Sequence, residues 1–119
     1  MEYGKDRARI IQESVPGKQI TIAHIIANPD KSLYDKLSFG AEGALGGAIG
    51  IVTITPGETA IIAGDIAIKT TGAQIAFLDR INGTLIVTGT VSEVETSLHA
   101  LIDYAEQKLG FSVCAVTKT

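Results

Sequence analysis

The feature that most constrains this chain is a strand pattern followed directly by a helix-start pattern. Residues Ala48 to Thr55, AIGIVTIT, are rich in β-branched side chains and predict a buried strand. Thr55 and Glu58 can each satisfy a free backbone donor at the start of a helix, and Pro56 suits its first position. A helix is therefore expected to begin at Pro56 and to end near Gly72, since glycine accepts a left-handed conformation after a helix.

A hairpin and a second helix follow this unit. Two strands are predicted, at Ala73 to Asp79 and Thr84 to Gly89, joined by the letters RING, whose Asn82-Gly83 pair favours a tight turn. A second capping box is expected at Ser92 and Glu95. The helix behind it has an apolar stripe at 3.6-residue spacing, which consists of Val94, Leu98, Leu101, Ile102, Ala105 and Leu109. The glycine after this stripe, Gly110, should end the helix.

The two ends of the chain give weaker patterns. Extended segments are predicted at Arg9 to Val15 and Gln19 to Ala27, on either side of Pro16-Gly17, and a last strand at Phe111 to Val116. Asn28 and Pro29 can start a short helix from Asp30 to Leu37. We expect one α/β domain of the α+β kind over residues 1–119, with a mostly antiparallel sheet and both long helices on one face.

Composition narrows the class of protein. The 119 residues are 45% apolar without tryptophan, which is much aliphatic surface for a small domain and predicts an oligomer. A net charge of −3 does not favour nucleic-acid binding. The sequence shows neither a run long enough to span a membrane nor a signal peptide, so we expect a cytosolic protein.

The glycine-rich letters GAEGALGGAIG, from Gly40 to Gly50, suggest a phosphate-binding loop at first sight. Their spacing does not match a dinucleotide fingerprint, and they precede a strand instead of following one. No Gly-Lys-Ser or Gly-Lys-Thr follows, so the pattern does not match a P-loop either. The stretch is therefore interpreted as a connection, and no cofactor is predicted.

The remaining polar residues do not form a recognisable catalytic or metal-binding motif. His24 and His99 belong to no metal-binding pattern, and the lone Cys114 has no internal partner. Asp65 and Lys69 are four residues apart on a predicted helix, where a surface ion pair is the ordinary interpretation. The sequence thus favours a protein without catalysis of its own, although groups that converge only in space would escape this reasoning.

Four segments together resemble a known family. They are RIIQESVPGKQITIAHIIANP, GAIGIVTITPGETAIIAGDIAIKT, FLDRINGTLIVTG and CAVTKT, and the resemblance that they carry extends over nearly the whole chain. They are similar to the circularly permuted BMC-domain shell proteins of bacterial microcompartments, of the EutS/PduU type found in ethanolamine-, propanediol- and choline-utilising organelles.

The resemblance implies a structural role. Six copies would form a ring-shaped tile that packs with other shell proteins around metabolic enzymes in the cytoplasm. Residues 1–16 would be an N-terminal extension, of which Arg9 to Val15 would contribute a strand to a β-barrel over the central opening. The alternative function is a binding module, in which apolar residues such as Ile10 or Val15 dock a targeting peptide of a cargo enzyme or the cup above the barrel holds a small metabolite.

The resemblance also assigns residues. Lys69 would lie at the edge where two hexamers meet, as the alternative to a plain pair with Asp65. Asn82 and Gly83 would line the pore on the sixfold axis, although the same two residues could simply form a type I′ turn. The glycine stretch would be the joint that circular permutation creates, and we expect Gly46 and Gly47 to act there as a hinge between tilts of the subunit.

Overall fold

The computed structural model describes residues 17–37 and 47–119. The predicted strand at Arg9 to Val15 and the hinge candidate Gly46 lie outside these residues. In chain order the elements are β1 (Gln19–Ile26), α1 (Lys31–Leu37), β2 (Ala48–Thr55), α2 (Thr59–Thr70), β3 (Gln74–Asp79), β4 (Thr84–Gly89), α3 (Val91–Leu109) and β5 (Thr117–Lys118).

The strands form a five-stranded sheet in the order β3-β4-β2-β1-β5. The β3–β4, β4–β2 and β2–β1 pairs are antiparallel, and the short β5 pairs with β1 in parallel. The predicted mostly antiparallel sheet is therefore confirmed. The bounds predicted for β2 and β4 agree with the structure residue for residue.

The core lies between this sheet and the two long helices. Its buried side chains come from β1, β2, β4, α2 and α3, which form one apolar cluster. Gly50 of β2 shows how closely α3 approaches: a Cβ there would lie 2.7 Å from Val94 Cγ1 and 2.9 Å from Leu98 Cδ1. The prediction that both long helices cover one face is confirmed, and glycine permits the close contact.

The predicted capping box of α3 was displaced by two residues. Thr90, not Ser92, is the N-cap: its hydroxyl accepts from the Glu93 amide at 3.1 Å, and the Glu93 carboxylate accepts from the Thr90 amide at 2.9 Å. Thr90 directly follows β4 and has the extended backbone that an N-cap requires, whereas Ser92 already lies in the first helical turn. The helix ends at Gly110, whose φ is +74°, as predicted.

The predicted start of α2 at Pro56 was also wrong. Thr55 is still paired with Gln19 in the sheet, and three residues separate it from the first helical residue, Thr59, so it is not the cap. Glu58 stands at the N-cap without a side-chain hydrogen bond. The helix begins at Thr59, after a turn whose carbonyls accept the first helical amides at 2.9–3.2 Å. It ends at Thr70, and the next residue is extended, so Gly72 does not supply the expected left-handed end.

Two further predictions need correction. The cap of α1 is Asp30, not Asn28, because its carboxylate accepts from the backbone and hydroxyl of Ser32 at 2.9 and 2.8 Å. The predicted strand at Phe111 to Val116 is mostly irregular, and β5 is only Thr117–Lys118. Several of the intervening apolar side chains pack against the core and do not extend the ladder with β1.

Candidate functional site

The exposed side of α2 is unusually apolar. The helix buries only small residues, Ala60, Ala63, Gly64 and Ala67, against the rest of the domain. One large side chain, Ile66, packs partly buried against the core. The other isoleucines point the other way, and together with the ion pair they form what we call the outer face of α2: Ile61, Ile62, Asp65, Ile68 and Lys69. The three isoleucines are 51%, 44% and 43% exposed. Such a patch on a soluble domain indicates a protein contact surface.

Lys69 lies within this outer face, in the last turn of α2. Its ammonium group is 2.9 Å from the Asp65 carboxylate, so the predicted pair with Asp65 is present. Both side chains are more than half exposed, and a pair of this kind contributes about 0–1 kcal/mol to stability. The Lys69 side chain thus remains accessible for a contact with another molecule.

A buried polar network that the sequence did not reveal holds this end of α2 in place. The Ser97 hydroxyl, fully buried on α3, donates to the Ala67 carbonyl at 3.0 Å and lies 2.9 Å from the Thr71 hydroxyl. Thr71 Oγ1 also accepts from the Ala73 amide at 3.0 Å. Because buried hydroxyls need partners, this network fixes the position of the turn that carries Lys69.

The β3–β4 loop is wider than the predicted tight turn. Asp79 pairs with Thr84, which leaves four loop residues, Arg80 to Gly83, and the Gly83 amide donates to the Asp79 carbonyl at 2.8 Å. The Asp79 carboxylate accepts from the amides of Ile81 and Asn82 at 2.8 and 3.1 Å and from the Asn82 side chain at 2.9 Å. Hydrogen bonds from Asn82 and then Ile81 lower the pKa of Asp79. The asparagine predicted to line a pore therefore donates its amide to a neighbour in its own loop.

Two glycines seat this loop against the turn before α2. The Ile54 amide donates to the Gly83 carbonyl at 2.8 Å, and a Cβ on Gly83 would overlap the Ile54 carbonyl oxygen. On the other side, a Cβ on Gly57 would lie 2.5 Å from the Ile81 carbonyl oxygen. Since Gly83 also has a φ of +81°, no other residue type fits there without strain.

The structure separates the predicted site residues. The β3–β4 loop touches the turn that precedes α2, whereas Lys69 lies in the last turn of that helix. A helix of 12 residues is about 18 Å long, so loop and lysine lie at opposite ends of α2. Gly47 lies at the start of β2, whereas the loop adjoins the other end of that strand.

Gly47 has a φ of +99° and is the first residue of the described range 47–119. The Tyr34 hydroxyl donates to its carbonyl at 2.5 Å, which links α1 to the start of β2. Burial raises the pKa of Tyr34. A side chain at position 47 would be strained by this backbone conformation.

The two histidines have partners within the domain. His24 of β1 lies 2.6 Å from the Thr117 hydroxyl and 2.9 Å from the Thr119 hydroxyl, which holds β5 in place. His99 Nδ1 donates to the Glu95 carbonyl at 2.9 Å. Within residues 17–37 and 47–119, no cluster of histidine, cysteine, aspartate or glutamate could hold a metal ion. No helix in those ranges has the length and apolarity to span a bilayer.

Comparison with known proteins identifies the family. The BMC domain model matches residues 48–117. The bacterial microcompartment shell protein EutS of Escherichia coli (strain K12) is 48% identical over 114 residues, which is 96% of this chain and 99% of EutS.

Solved structures agree with the sequence match. A flat hexamer of CutR has 50% sequence identity and a TM-score of 0.81, and covers 93% of this chain and 99% of its own. CutR in a screw form with a 41.9 Å pitch has 46% identity and a TM-score of 0.78, and covers 87% of this chain and 100% of its own. The family model matches the chain from β2 to β5, the relatives are similar along almost the whole sequence, and the solved structures share the fold. This chain therefore belongs to the BMC-domain family of bacterial microcompartment shell proteins.

Proposed function

We propose that this chain is a structural tile of a bacterial microcompartment shell, in which six copies form a ring and rings pack with other shell proteins around enzymes in the cytoplasm. The observation that carries the proposal is the outer face of α2, where three isoleucines are exposed on a helix that buries only alanine and glycine. A surface of this kind is stabilised when other protein chains cover it. No catalytic residue is assigned.

Electron microscopy of the purified protein tests this function. We expect rings in negative stain that pack side by side into sheets, tubes or closed shells. Separate particles of single-chain size at every concentration would contradict the proposal.

Within the tile, we place Lys69 at the edge between neighbouring rings. Its ammonium group is exposed, and a lysine can lay its stem on the flanking isoleucines while its head donates to carbonyls of a partner. Lys69→Ala should leave rings intact and weaken the packing of rings into sheets. The control is Lys108→Ala, because Lys108 is also an exposed lysine in the last turn of a helix, and this variant should change neither rings nor sheets. Sheets that persist unchanged in Lys69→Ala would contradict this placement.

At the other end of α2 we place the β3–β4 loop, with Asn82 and Gly83, beside the central opening of the ring. The separation of about 18 Å along α2 supports these opposite placements, because an edge and an axis must lie at different distances from the centre. Asn82→Phe should then slow the passage of small molecules into assembled shells. Equal passage rates in wild-type and variant shells would count against a pore role for this loop.

We further propose that Gly46 and Gly47 form a hinge that lets subunits adopt more than one tilt. The φ of +99° at Gly47 supports it, and relatives named CutR are known both as a flat hexamer and as a screw. Replacing both glycines with alanine should restrict the ring to one shape in electron micrographs. Gly17→Ala is the matched control, because a Cβ there meets nothing within 4 Å, and an unaltered range of shapes in the double variant would refute the hinge.

A further inference from the structure

The tip of the β3–β4 loop carries an exposed isoleucine. Ile81 is 76% exposed, the highest value among the exposed large hydrophobic side chains of residues 17–37 and 47–119. A single exposed isoleucine is common on protein surfaces and does not by itself indicate a function. What distinguishes Ile81 is how firmly its backbone is held.

Two contacts hold the backbone of this isoleucine, and the hydrogen bonds of Gly83 hold the end of its loop. The Asp79 carboxylate accepts from its amide at 2.8 Å. Its carbonyl oxygen lies so close to Gly57 that a Cβ on the glycine would be 2.5 Å away. Two residues further on, the Gly83 amide donates to the Asp79 carbonyl and the Gly83 carbonyl accepts from the Ile54 amide, both at 2.8 Å. The loop thus presents an apolar side chain in a fixed position, which a solvent-exposed turn alone does not require.

The neighbouring polar side chain is directed elsewhere. The Asn82 amide group donates to Asp79 Oδ2 at 2.9 Å, within its own loop. The Asp79 carboxylate already accepts three hydrogen bonds. Arg80 is the other charged side chain of the loop, and it is exposed. Asn82 is exposed as well, but its side chain is held against Asp79, which leaves Ile81 and Arg80 as the side chains free to project from this loop.

We propose that Ile81, and not Asn82, forms the narrowest part of the central opening, as a ring of six isoleucine side chains that passes small uncharged molecules and excludes ions. This inference rests on the proposed placement of the loop beside the axis of a hexamer. An apolar constriction holds water poorly, and an ion must lose its hydration shell to pass. A small uncharged molecule loses much less on leaving water, so it passes more easily.

A structure of the assembled wild-type ring gives the first test. The expected result is that Ile81 side chains approach the axis more closely than any atom of Asn82 or Arg80. A ring in which Arg80 or Asn82 lines the narrowest point overturns the inference. A ring in which the whole loop lies away from the axis overturns the pore placement as well.

Passage measurements give the second test. Shells containing this ring are loaded with a tryptophan-bearing reporter and mixed rapidly with iodide, an anionic quencher, or acrylamide, an uncharged one. This chain has no tryptophan, so it contributes no tryptophan signal of its own. We expect Ile81→Ser to speed quenching by iodide several-fold and to change quenching by acrylamide little.

Two variants serve as controls. Lys108→Ala, on an exposed lysine in the last turn of α3, should leave both rates near those of wild type. Arg80→Ser distinguishes an apolar barrier from an attractive positive charge: slower iodide entry in this variant, together with no change in Ile81→Ser, overturns the inference. If Ile81→Ser does not form rings, Ile81→Thr, which keeps the β-branch, replaces it, and the wild-type structure still decides. Absence of rings in the wild type would instead refute the shell function.

Discussion

The two long helices of this domain distribute their apolar side chains in opposite ways. The helix α3 buries large residues, among them Val94, Leu98 and Leu101, against the sheet. The helix α2 buries alanines and a glycine and exposes isoleucines. Both pack on the same face of the sheet and contribute to the same core.

Under the proposed shell function, the difference assigns the stability of the single chain mainly to α3 and assembly to α2. Large side chains buried on α3 contribute most to folding, since each fully buried aliphatic side chain is worth about 1.5–3 kcal/mol. The small residues of α2 let it lie close to the sheet and to α3, while three of its isoleucines remain exposed. If this comparison is right, changes in α3 should affect folding and changes on α2 should affect assembly.

The largest effect is expected from the core of α3. Leu98 is fully buried, so Leu98→Ala removes apolar contacts and leaves a cavity, which should lower the free energy of unfolding by about 2–5 kcal/mol. Denaturant unfolding at one fixed protein concentration measures this, because ring formation itself adds to apparent stability. A loss below about 1 kcal/mol would contradict the assignment of α3 as the main core helix.

The helix starts provide a smaller contrast. Thr90→Ala removes the hydroxyl of the capping box and should cost about 1 kcal/mol in unfolding free energy. Glu58→Ala, at the N-cap of α2, should change stability little, because Glu58 makes no side-chain cap hydrogen bond. Ser92→Ala separates the observed cap from the predicted one, and a larger loss in Ser92→Ala than in Thr90→Ala would place the cap where the sequence pattern had put it.

On the outer face of α2 the expected change in stability is smaller still. Ile61→Ser should shift the unfolding free energy of the single chain by about 0.5 kcal/mol or less, because the side chain is half exposed. The same change should weaken assembly, seen as a higher protein concentration at which particles larger than one chain form in light scattering. Unaltered assembly together with a marked loss of stability would reverse the roles given to the two helices.

The smallest effect concerns the loop beside α2 and depends on pH. The folded pKa of Asp79 is lowered by hydrogen bonds from Asn82 and Ile81, so the charged carboxylate stabilises the folded loop. That contribution is present above the ordinary aspartate pKa, near 3.9, and is lost as pH falls through the lower folded value. Above about pH 4 the wild type should therefore have a slightly larger free energy of unfolding than Asp79→Asn, and below that pH the difference should disappear. An NMR titration that finds the pKa of Asp79 above its ordinary value would contradict this account.

Much of this fold could be predicted from sequence, and the failures have physical causes. The β2 and β4 bounds, the stripe of α3 and its end at Gly110 follow from local patterns that tertiary contacts reinforce. Thr55 failed as a cap because sheet pairing with Gln19 holds it, which a local pattern cannot reveal. The predicted last strand failed because its apolar side chains pack into the core.

The candidate site was harder to predict than the fold. Lys69 was assigned to the edge through resemblance, which remains a prediction. Its environment of exposed isoleucines needed the structure, since the sequence does not show which side of an almost wholly apolar helix faces the sheet. Asn82 was likewise assigned to the pore through resemblance, and its hydrogen bond to Asp79 needed the structure. Ser97 was missed because a lone serine in an amphipathic helix carries no pattern that distinguishes it.

The mass of the intact wild-type particle under native conditions tests the central claim most directly. A tile whose α2 surface is covered by other copies should appear in native mass spectrometry as six chains of 12.4 kDa each, with the ring intact at low micromolar concentration. A stable particle of one chain, folded and soluble with its isoleucines exposed, would contradict the claim that this domain is built to assemble.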